Sequence, residues 1–170
     1  MIYISTSCIK NEFIWESVEQ IALLGFKDIE LSGGTNKNPM MNEKLLLLKD
    51  NFNLNYRCHN YFPPPSEHFV MNLASSSSTI YNSTINLIEE SIELSNLLGA
   101  NEYGFHAGFL TDITTSEIGK SVPGRELVDR EHAIKIFIEG LKIVKNNQKT
   151  FFIECFMVLV YLLNCLFFSG

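Results

Sequence analysis

The sequence predicts an α/β protein built on a parallel β-sheet. Short apolar runs alternate with longer segments that have apolar residues at helical spacing, and this alternation is typical of βα units. Glycines also stand where predicted helices should end. Five strands are predicted, over residues 2–5, 26–31, 55–59, 102–106 and 150–154. Four helices are predicted between them: one between Asn11 and Gly25, and three over about residues 42–50, 79–98 and 129–146.

The helices are predicted from their apolar stripes and from the residues at their ends. Asn11 is the predicted N-cap of the first helix, because its side-chain oxygen can accept a bond from a free backbone N–H. The stripe of that helix consists of Ile14, Val18, Ile21 and Ala22. Gly25 and Gly99 follow the first and third helices, at positions where a left-handed backbone favours glycine.

Two long segments, residues 60–78 and 107–128, connect strands to helices. The first contains three consecutive prolines and four consecutive serines. Loops of this length within a compact domain are usually functional or disordered. We expect the side chains of residues 60–78 to influence the choice of substrate.

Composition restricts the class of protein. A chain of 170 residues, 46% apolar and 19% charged, is expected to form one domain with a core. The net charge of −6 and the lack of a basic cluster argue against a nucleic-acid partner, because phosphate binding needs clustered Lys and Arg. The four cysteines have no CxxC spacing and the N-terminus has no signal-peptide pattern, so a cytoplasmic location is expected.

Carboxylate and imidazole side chains stand at the predicted ends of four strands. They are Glu30, His59, His106 and Glu154. In a parallel barrel these ends meet at one mouth, where two imidazoles and a carboxylate suit a divalent metal. For either histidine, the alternative is a hydrogen bond that caps a loop. Glu30 either contacts substrate or pairs with a basic side chain such as Lys27, because an unpaired buried carboxylate is costly. Cys58 is expected to be a small buried residue and not a nucleophile.

Several segments together resemble the xylose-isomerase-like TIM barrels. They are Ile29-Glu30-Leu31-Ser32-Gly33-Gly34, Cys58-His59-Asn60-Tyr61-Phe62-Pro63-Pro64-Pro65, Asn72-Leu73-Ala74-Ser75, Leu97-Leu98-Gly99-Ala100 and Phe105-His106-Ala107-Gly108-Phe109. This group includes sugar-phosphate isomerases and epimerases and the AP-endonuclease branch called endonuclease IV. The resemblance covers about residues 1–154. It implies a (β/α)8 TIM barrel, truncated here to about four βα units plus a fifth strand.

The resemblance implies a divalent-metal site and a carbohydrate substrate. In the endonuclease branch the corresponding histidines, here His59 and His106, bind zinc. In the epimerase branch these positions more often face substrate. The strand-five Glu, here Glu154, binds metal in both branches, and in the epimerase branch it also acts as acid or base. The expected cofactor is Mn²⁺, Zn²⁺, Co²⁺ or Mg²⁺. The implied function is a metal-dependent sugar or sugar-phosphate isomerase/epimerase. The alternatives are a metal-dependent phosphodiesterase of the endonuclease branch and a non-catalytic or membrane-tethered remnant.

The chain departs from this group after Glu154. Residues 155–170 form an apolar tail without charge, and the ligands expected after strands six to eight have no counterpart. We expect a frameshift or premature end in the coding sequence, and impaired catalysis. A membrane anchor is less favoured, because a spanning helix needs roughly 17–25 apolar residues and Glu154 and Asn164 interrupt this stretch. An incomplete barrel would gain from covering its sheet edge, which leaves a homo-oligomer open.

Overall fold

The computed structural model describes residues 2–100, 102–106 and 108–147, and the backbone of residues 152–156. The strands are β1 (Ile4–Ser5), β2 (Asp28–Leu31), β3 (Asn55–His59), β4 (Glu102–His106) and β5 (Phe152–Phe156). The helices are α1 (Ile14–Leu23), α2 (Met41–Phe52), α3 (Ser78–Leu98) and α4 (Arg130–Asn147), with short 3₁₀ turns at Thr6–Cys8 and Thr115–Glu117. Residues 157–170, most of the predicted apolar tail, lie outside the described residues. None of the helices described is both long and apolar enough to cross a membrane.

The strands form one sheet in chain order, from β1 to β5. The first four strands pair in parallel, with Ser5 opposite Glu30, Glu30 opposite Arg57, and His59 opposite Gly104. Parallel neighbours in chain order, each followed by a helix, are the arrangement of consecutive βα units in a barrel. The predicted α/β class is therefore confirmed.

The element boundaries agree best where local signals are strong. The predicted bounds of β3 and β4 match those of the structure, and Gly25 and Gly99 have the expected left-handed φ of 91° and 69°. The predicted N-cap was wrong. Helix α1 begins at Ile14 and its N-cap position is Phe13, whose N–H donates to Glu16 Oε2 at 3.1 Å. Strand β5 begins and ends two residues later than predicted.

The two faces of the sheet differ in polarity. Side chains alternate between the faces of a strand, and the residues of one face are fully buried: Ile29, Leu31, Tyr56, Cys58, Tyr103 and Phe105. The opposite face carries Glu30, Arg57 and His59, which are half-buried. We call these three residues the polar face. The apolar face belongs to the core, so the polar face is the side of the sheet available to a ligand.

The chain divides into two compact units. The first consists of Met1–Ser66, Glu90–Phe105 and Phe151–Glu154, and the second of Glu67–Glu89, His106–Thr150 and Cys155–Gly170. In the first unit α1 and α2 pack against each other, with Val18 and Leu45 fully buried. In the second unit Leu73 packs so tightly on Gly140 of α4 that an added Cβ there would lie 2.6 Å from Leu73 Cδ1.

Candidate functional site

The predicted metal ligands lie in three consecutive strands. His59 and His106 are the last residues of β3 and β4, and both are half-buried. Glu154 lies in β5, and its side chain falls outside the part of the chain that the structure describes. Among the described side chains, no group of three or more His, Cys, Asp or Glu residues is gathered around a common metal position. His59 belongs to the first unit and His106 to the second.

An ion pair dominates the polar face of the first unit. Arg57 Nη2 lies 2.6 Å from Glu30 Oε2, and Arg57 Nε donates to the same oxygen at 3.2 Å. The pairing of β2 with β3 sets this contact, because Glu30 and Arg57 are directly opposite each other. Of the two roles predicted for Glu30, pairing with a basic residue therefore occurs in the structure, and the partner is Arg57 in place of Lys27.

Arg57 also contacts an aromatic ring and a second carboxylate. Its guanidinium carbon lies 5.1 Å from the centre of the Tyr3 ring, within the range of a cation–π interaction. Glu102 Oε2 lies 3.9 Å from Arg57 Nη1, and the Glu102 side chain is half exposed. The pKa of Tyr3 is raised, mainly by burial and further by the charges of Asp28 and Glu102, while the Arg57 charge opposes the rise. Arg57 is thus the cation that balances several acidic groups on this side of the sheet.

Hydroxyl groups continue the network from Glu30 toward β1. Ser32 Oγ donates to Glu30 Oε1 at 3.4 Å, and it lies 3.0 Å from Ser5 Oγ. The Ser32 N–H donates to Thr6 Oγ1 at 3.0 Å. These bonds hold the turn after β2 to the end of β1, so the first two strand ends have a fixed relation to each other.

The opposite face of β3 carries no reactive group. Cys58 is fully buried, and burial raises the pKa of its thiol to about 12. A thiol held in its neutral form is a poor nucleophile. The interpretation of Cys58 as a small buried residue is therefore confirmed.

The loops after β2 and β3 lie against each other. A Cβ added to Gly33 would lie 2.7 Å from both the Cβ and the carbonyl oxygen of Tyr61. Tyr61 has a left-handed φ of 57°, which is uncommon for a residue with a side chain. Asn60, next to His59, is buried, and its Oδ1 has no hydrogen-bond partner among the described atoms. Close backbone approach thus shapes the loops that leave the strand ends.

In the second unit a buried asparagine holds the chain that leaves β4. Asn72 is 2% exposed. Its Nδ2 donates to the Phe109 carbonyl at 3.1 Å and to Asp112 Oδ1 at 2.8 Å. Its Oδ1 accepts from the N–H groups of Ala74 and Phe109 at 3.1 and 2.9 Å. Ser75 Oγ donates to the other Asp112 oxygen at 2.8 Å. We call Asn72, Ser75, Phe109 and Asp112 the Asn72 cluster.

The rest of this long loop is also fixed by hydrogen bonds. Arg125 Nη1 donates to the Asp112 carbonyl, and Arg125 Nη2 lies 2.6 Å from Glu117 Oε1. Hydrogen bonds from the backbone and hydroxyl of Thr114 lower the pKa of Glu117, and the Arg125 charge contributes to the decrease. The segment predicted to be functional or disordered is therefore an ordered loop over the residues described.

Two residues of these networks were not identified from the sequence. Arg57 is a charged residue within a strand, and its alternation with the apolar neighbours Tyr56 and Cys58 was the available signal. Asp112 lies in a polar loop, where a carboxylate is ordinary and gives no signal. Asn72 was noted only as part of a resembling segment, and its hydrogen bonds depend on chain folding that periodicity does not report.

Comparison with known proteins gives a similarity of fold. No protein-family profile matches the sequence, and no curated protein is similar enough in sequence to count as a relative. A D-tagatose 3-epimerase-like protein has a TM-score of 0.60 and 20% identity, over 83% of this chain and 46% of that chain. An L-ribulose 3-epimerase has a TM-score of 0.54 and 12% identity, over 91% and 49% of the two chains. Endonuclease IV from Thermus thermophilus has a TM-score of 0.48 and 13% identity, over 84% and 46%.

The chain spans about half the length of the solved structures that it matches. At these identities the similarity concerns the fold, and the epimerase and epimerase-like structures carry it. The sequential parallel strands and the polar strand ends agree with that fold. The resemblance predicted from the sequence is thus confirmed for the architecture: the chain has the fold of the xylose-isomerase-like TIM barrels, over about half of their length.

Proposed function

We propose that this chain belongs to a metal-dependent isomerase or epimerase acting on a sugar or sugar phosphate. The observation that carries the proposal is the position of His59 and His106 at the carboxyl ends of adjacent parallel strands. Enzymes with this fold place their catalytic residues at those ends. The fold similarity to an epimerase-like protein, with a TM-score of 0.60, supports the choice of reaction class.

The proposed metal ligands are His59, His106 and Glu154. Two imidazole nitrogens and one carboxylate oxygen suit Zn²⁺, Mn²⁺ or Co²⁺, and Mg²⁺ to a lesser extent. His59 is half-buried beside the buried Asn60, whose Oδ1 lacks a partner among the described atoms. A buried oxygen without a partner is expected to bind water or a ligand group. These surroundings fit a polar ligand at the end of β3.

The chemistry follows from the residue types. A divalent cation at this position would polarise the carbonyl of a ketose. The Glu154 carboxylate is the proposed acid or base, which would remove the proton from the carbon beside the carbonyl. Return of that proton by Glu154 to the former carbonyl carbon would give the isomer, whereas the epimer requires a second acid that protonates the first carbon from its opposite face. Glu30 is proposed to contact a substrate hydroxyl through Oε1, because both Arg57 bonds go to Oε2.

Exchange of a substrate proton with solvent tests this proposal directly. The protein is incubated with a ketose in D₂O and with Mn²⁺, Co²⁺, Zn²⁺ or Mg²⁺, and NMR follows deuterium incorporation beside the carbonyl. We expect metal-dependent incorporation, because a bound cation would stabilise the enediolate that proton removal produces. Glu154→Gln should abolish it. His132→Ala is the matched control for the histidine variants, because His132 is exposed on α4.

The same protein preparation separates the alternatives. His59→Ala and His106→Ala should each weaken Co²⁺ binding, measured by the visible absorption of the bound ion. Cobalt binding that neither variant changes would contradict the proposed ligands. Cleavage of abasic-site DNA without proton exchange would favour the phosphodiesterase alternative. A protein that shows neither activity and does not bind metal would favour the non-catalytic remnant.

A further inference from the structure

We propose that Asn72 is a positioning residue for His106. Its side-chain amide holds the chain that leaves β4 in a single path, and this path fixes the strand end that carries the imidazole. Both residues belong to the second compact unit. The inference rests on the proposed function only in taking His106 as a metal ligand. The hydrogen bonds of Asn72 that support it do not depend on that role.

The side-chain amide of Asn72 bonds to both backbone groups of Phe109, and we call this pair of bonds the Asn72 clamp. Each of the two polar atoms of the amide contacts Phe109, because Nδ2 donates to the Phe109 carbonyl at 3.1 Å and Oδ1 accepts from the Phe109 N–H at 2.9 Å. Both backbone groups of one residue are thereby fixed by one side chain. Phe109 is three positions after His106, so the clamp acts within one short stretch of the strand end.

The contact between Asn72 and the chain after β4 leaves no room for a side chain at Gly108. Gly108 has a φ of 138°, a conformation that L side chains rarely adopt. A Cβ at this position would lie 2.4 Å from Asn72 Oδ1 and 3.1 Å from the Ala74 nitrogen. The chain after His106 can therefore follow its path only with glycine here, and this path brings the backbone against the asparagine amide.

Asn72 is itself bonded to the N-terminal part of α3, which lies in the same unit. Its backbone N–H donates to Thr84 Oγ1 at 3.0 Å, and Thr84 Oγ1 donates to the Ile80 carbonyl of α3 at 2.8 Å. The hydrogen bond from Ser75 Oγ to Asp112, at 2.8 Å, is a second connection between the loop before α3 and the loop after β4. Asn72 thus connects α3, through Thr84, to the chain that follows β4, through Phe109. Residues held in this way orient functional side chains more precisely than loops without such support.

Substitutions of Asn72 distinguish a role for its hydrogen bonds from a role in filling space. Asn72→Asp keeps the shape and both acceptor bonds, from Ala74 and Phe109. It loses both donor bonds and places a second carboxylate about 3 Å from Asp112, with repulsion between like charges. Asn72→Ala removes all four bonds. Asp112→Ala removes one of Asn72's partners at a half-buried loop position, so it is the variant with the smallest risk to folding.

The test measures the surroundings of His106 and its affinity for a metal. Each variant is examined for the ¹H–¹³C signal of the His106 imidazole, assigned with His106→Gln, and for Zn²⁺ affinity by titration calorimetry. We expect Asn72→Asp and Asn72→Ala to move the His106 signal and to lower Zn²⁺ affinity by about tenfold, as for other residues that orient a ligand. Asp112→Ala should produce a smaller change in the same direction.

Two controls separate positioning from general stability. Asn82→Ala removes an exposed asparagine of α3, and Glu117→Gln weakens the other bonds of the loop after β4. Neither should move the His106 signal. A folded Asn72→Ala or Asp112→Ala protein with an unchanged His106 signal and Zn²⁺ affinity would overturn the inference. If the wild-type protein binds no Zn²⁺, the proposed function fails, and the His106 signal alone still decides whether Asn72 positions the strand end.

Discussion

Replacing Arg57 with methionine tests the ion pair at the centre of the polar face. Methionine keeps most of the apolar stem and removes the guanidinium. Arg57 Nη2 and Nε lie 2.6 and 3.2 Å from Glu30 Oε2, and the exposed fractions of the two side chains are 23% and 14%. Because both groups are largely removed from water, the substitution leaves a poorly solvated carboxylate without its cation.

The size of the effect follows from these contacts. Hydrogen bonds to a charged group contribute about 1.5–3 kcal/mol each, but the two bonds share one acceptor and the pair is partly exposed, so we take about 2 kcal/mol for both. The cation–π contact with Tyr3 at 5.1 Å adds about 0.5–1 kcal/mol. The contact with Glu102, whose side chain is 51% exposed, contributes little. We therefore expect Arg57→Met to lower the free energy of unfolding by about 3 kcal/mol.

A double-mutant cycle with Glu30→Gln isolates the pair, with urea unfolding as the assay. We expect a coupling free energy of about 2 kcal/mol between the two positions. Lys142→Met is the matched control, since it breaks a pair with Glu139 whose side chains are more than 60% exposed, and it should cost less than about 0.5 kcal/mol. A coupling free energy below about 0.5 kcal/mol, the value typical of exposed pairs, would refute the reasoning. Tyr3 gives a second readout: Arg57 opposes the rise in the pKa of Tyr3, so Arg57→Met should raise the pKa of Tyr3 further in an ultraviolet titration.

Two more predictions concern the buried thiol and the loop contact. Burial raises the pKa of Cys58 to about 12, whereas an unfolded thiol ionises near pH 8.5. The unfolded chain therefore loses its proton first, and the stability that Cys58 contributes below about pH 8.5 is lost at about 1.4 kcal/mol per pH unit as pH rises toward 12. Cys58→Ala should reduce the slope of unfolding free energy against pH between 9 and 10, while the exposed Cys8→Ala should not. Gly33→Ala should cost about 2 kcal/mol by overpacking, because its Cβ would lie 2.7 Å from Tyr61; an unchanged urea midpoint would show that the two loops separate at little cost.

Strands β3 and β4, which carry the two predicted histidine ligands, were the easiest part of the fold to predict. The apolar alternation and the polar residue at each strand end are local in sequence, so the bounds of β3 and β4 agree with the structure. The start of α1 was wrong because Asn11 is an acceptable N-cap by type, while a contact between Phe13 and Glu16 determines where the helix begins. Capping preferences identify candidates, and packing selects among them.

The partners of the charged and polar residues could not be predicted in this way. Lys27 lies three residues before Glu30, an odd spacing that places the two side chains on opposite faces of an extended chain. The pairing register of β2 with β3 brings Arg57 opposite Glu30 instead. The Asn72 clamp joins segments 37 residues apart. A pattern with a period of two or four residues contains no information about such contacts.

The register of the sheet also reconciles the two roles that the sequence left open for Glu30. Glu30 and Arg57 face each other two residues before β3 ends at His59, which is about 6.6 Å along a strand. The ion pair therefore lies two residues before the strand-end histidine, on the same face of the sheet. Arg57 holds Glu30 through Oε2, and among the described residues Oε1 accepts one long hydrogen bond, from Ser32 Oγ at 3.4 Å. A carboxylate fixed through one oxygen is oriented and keeps hydrogen-bonding capacity on the other. Pairing with a cation is thus compatible with the substrate contact proposed for Glu30, because the Arg57 bonds to Glu30 go to Oε2 and the proposed contact uses Oε1.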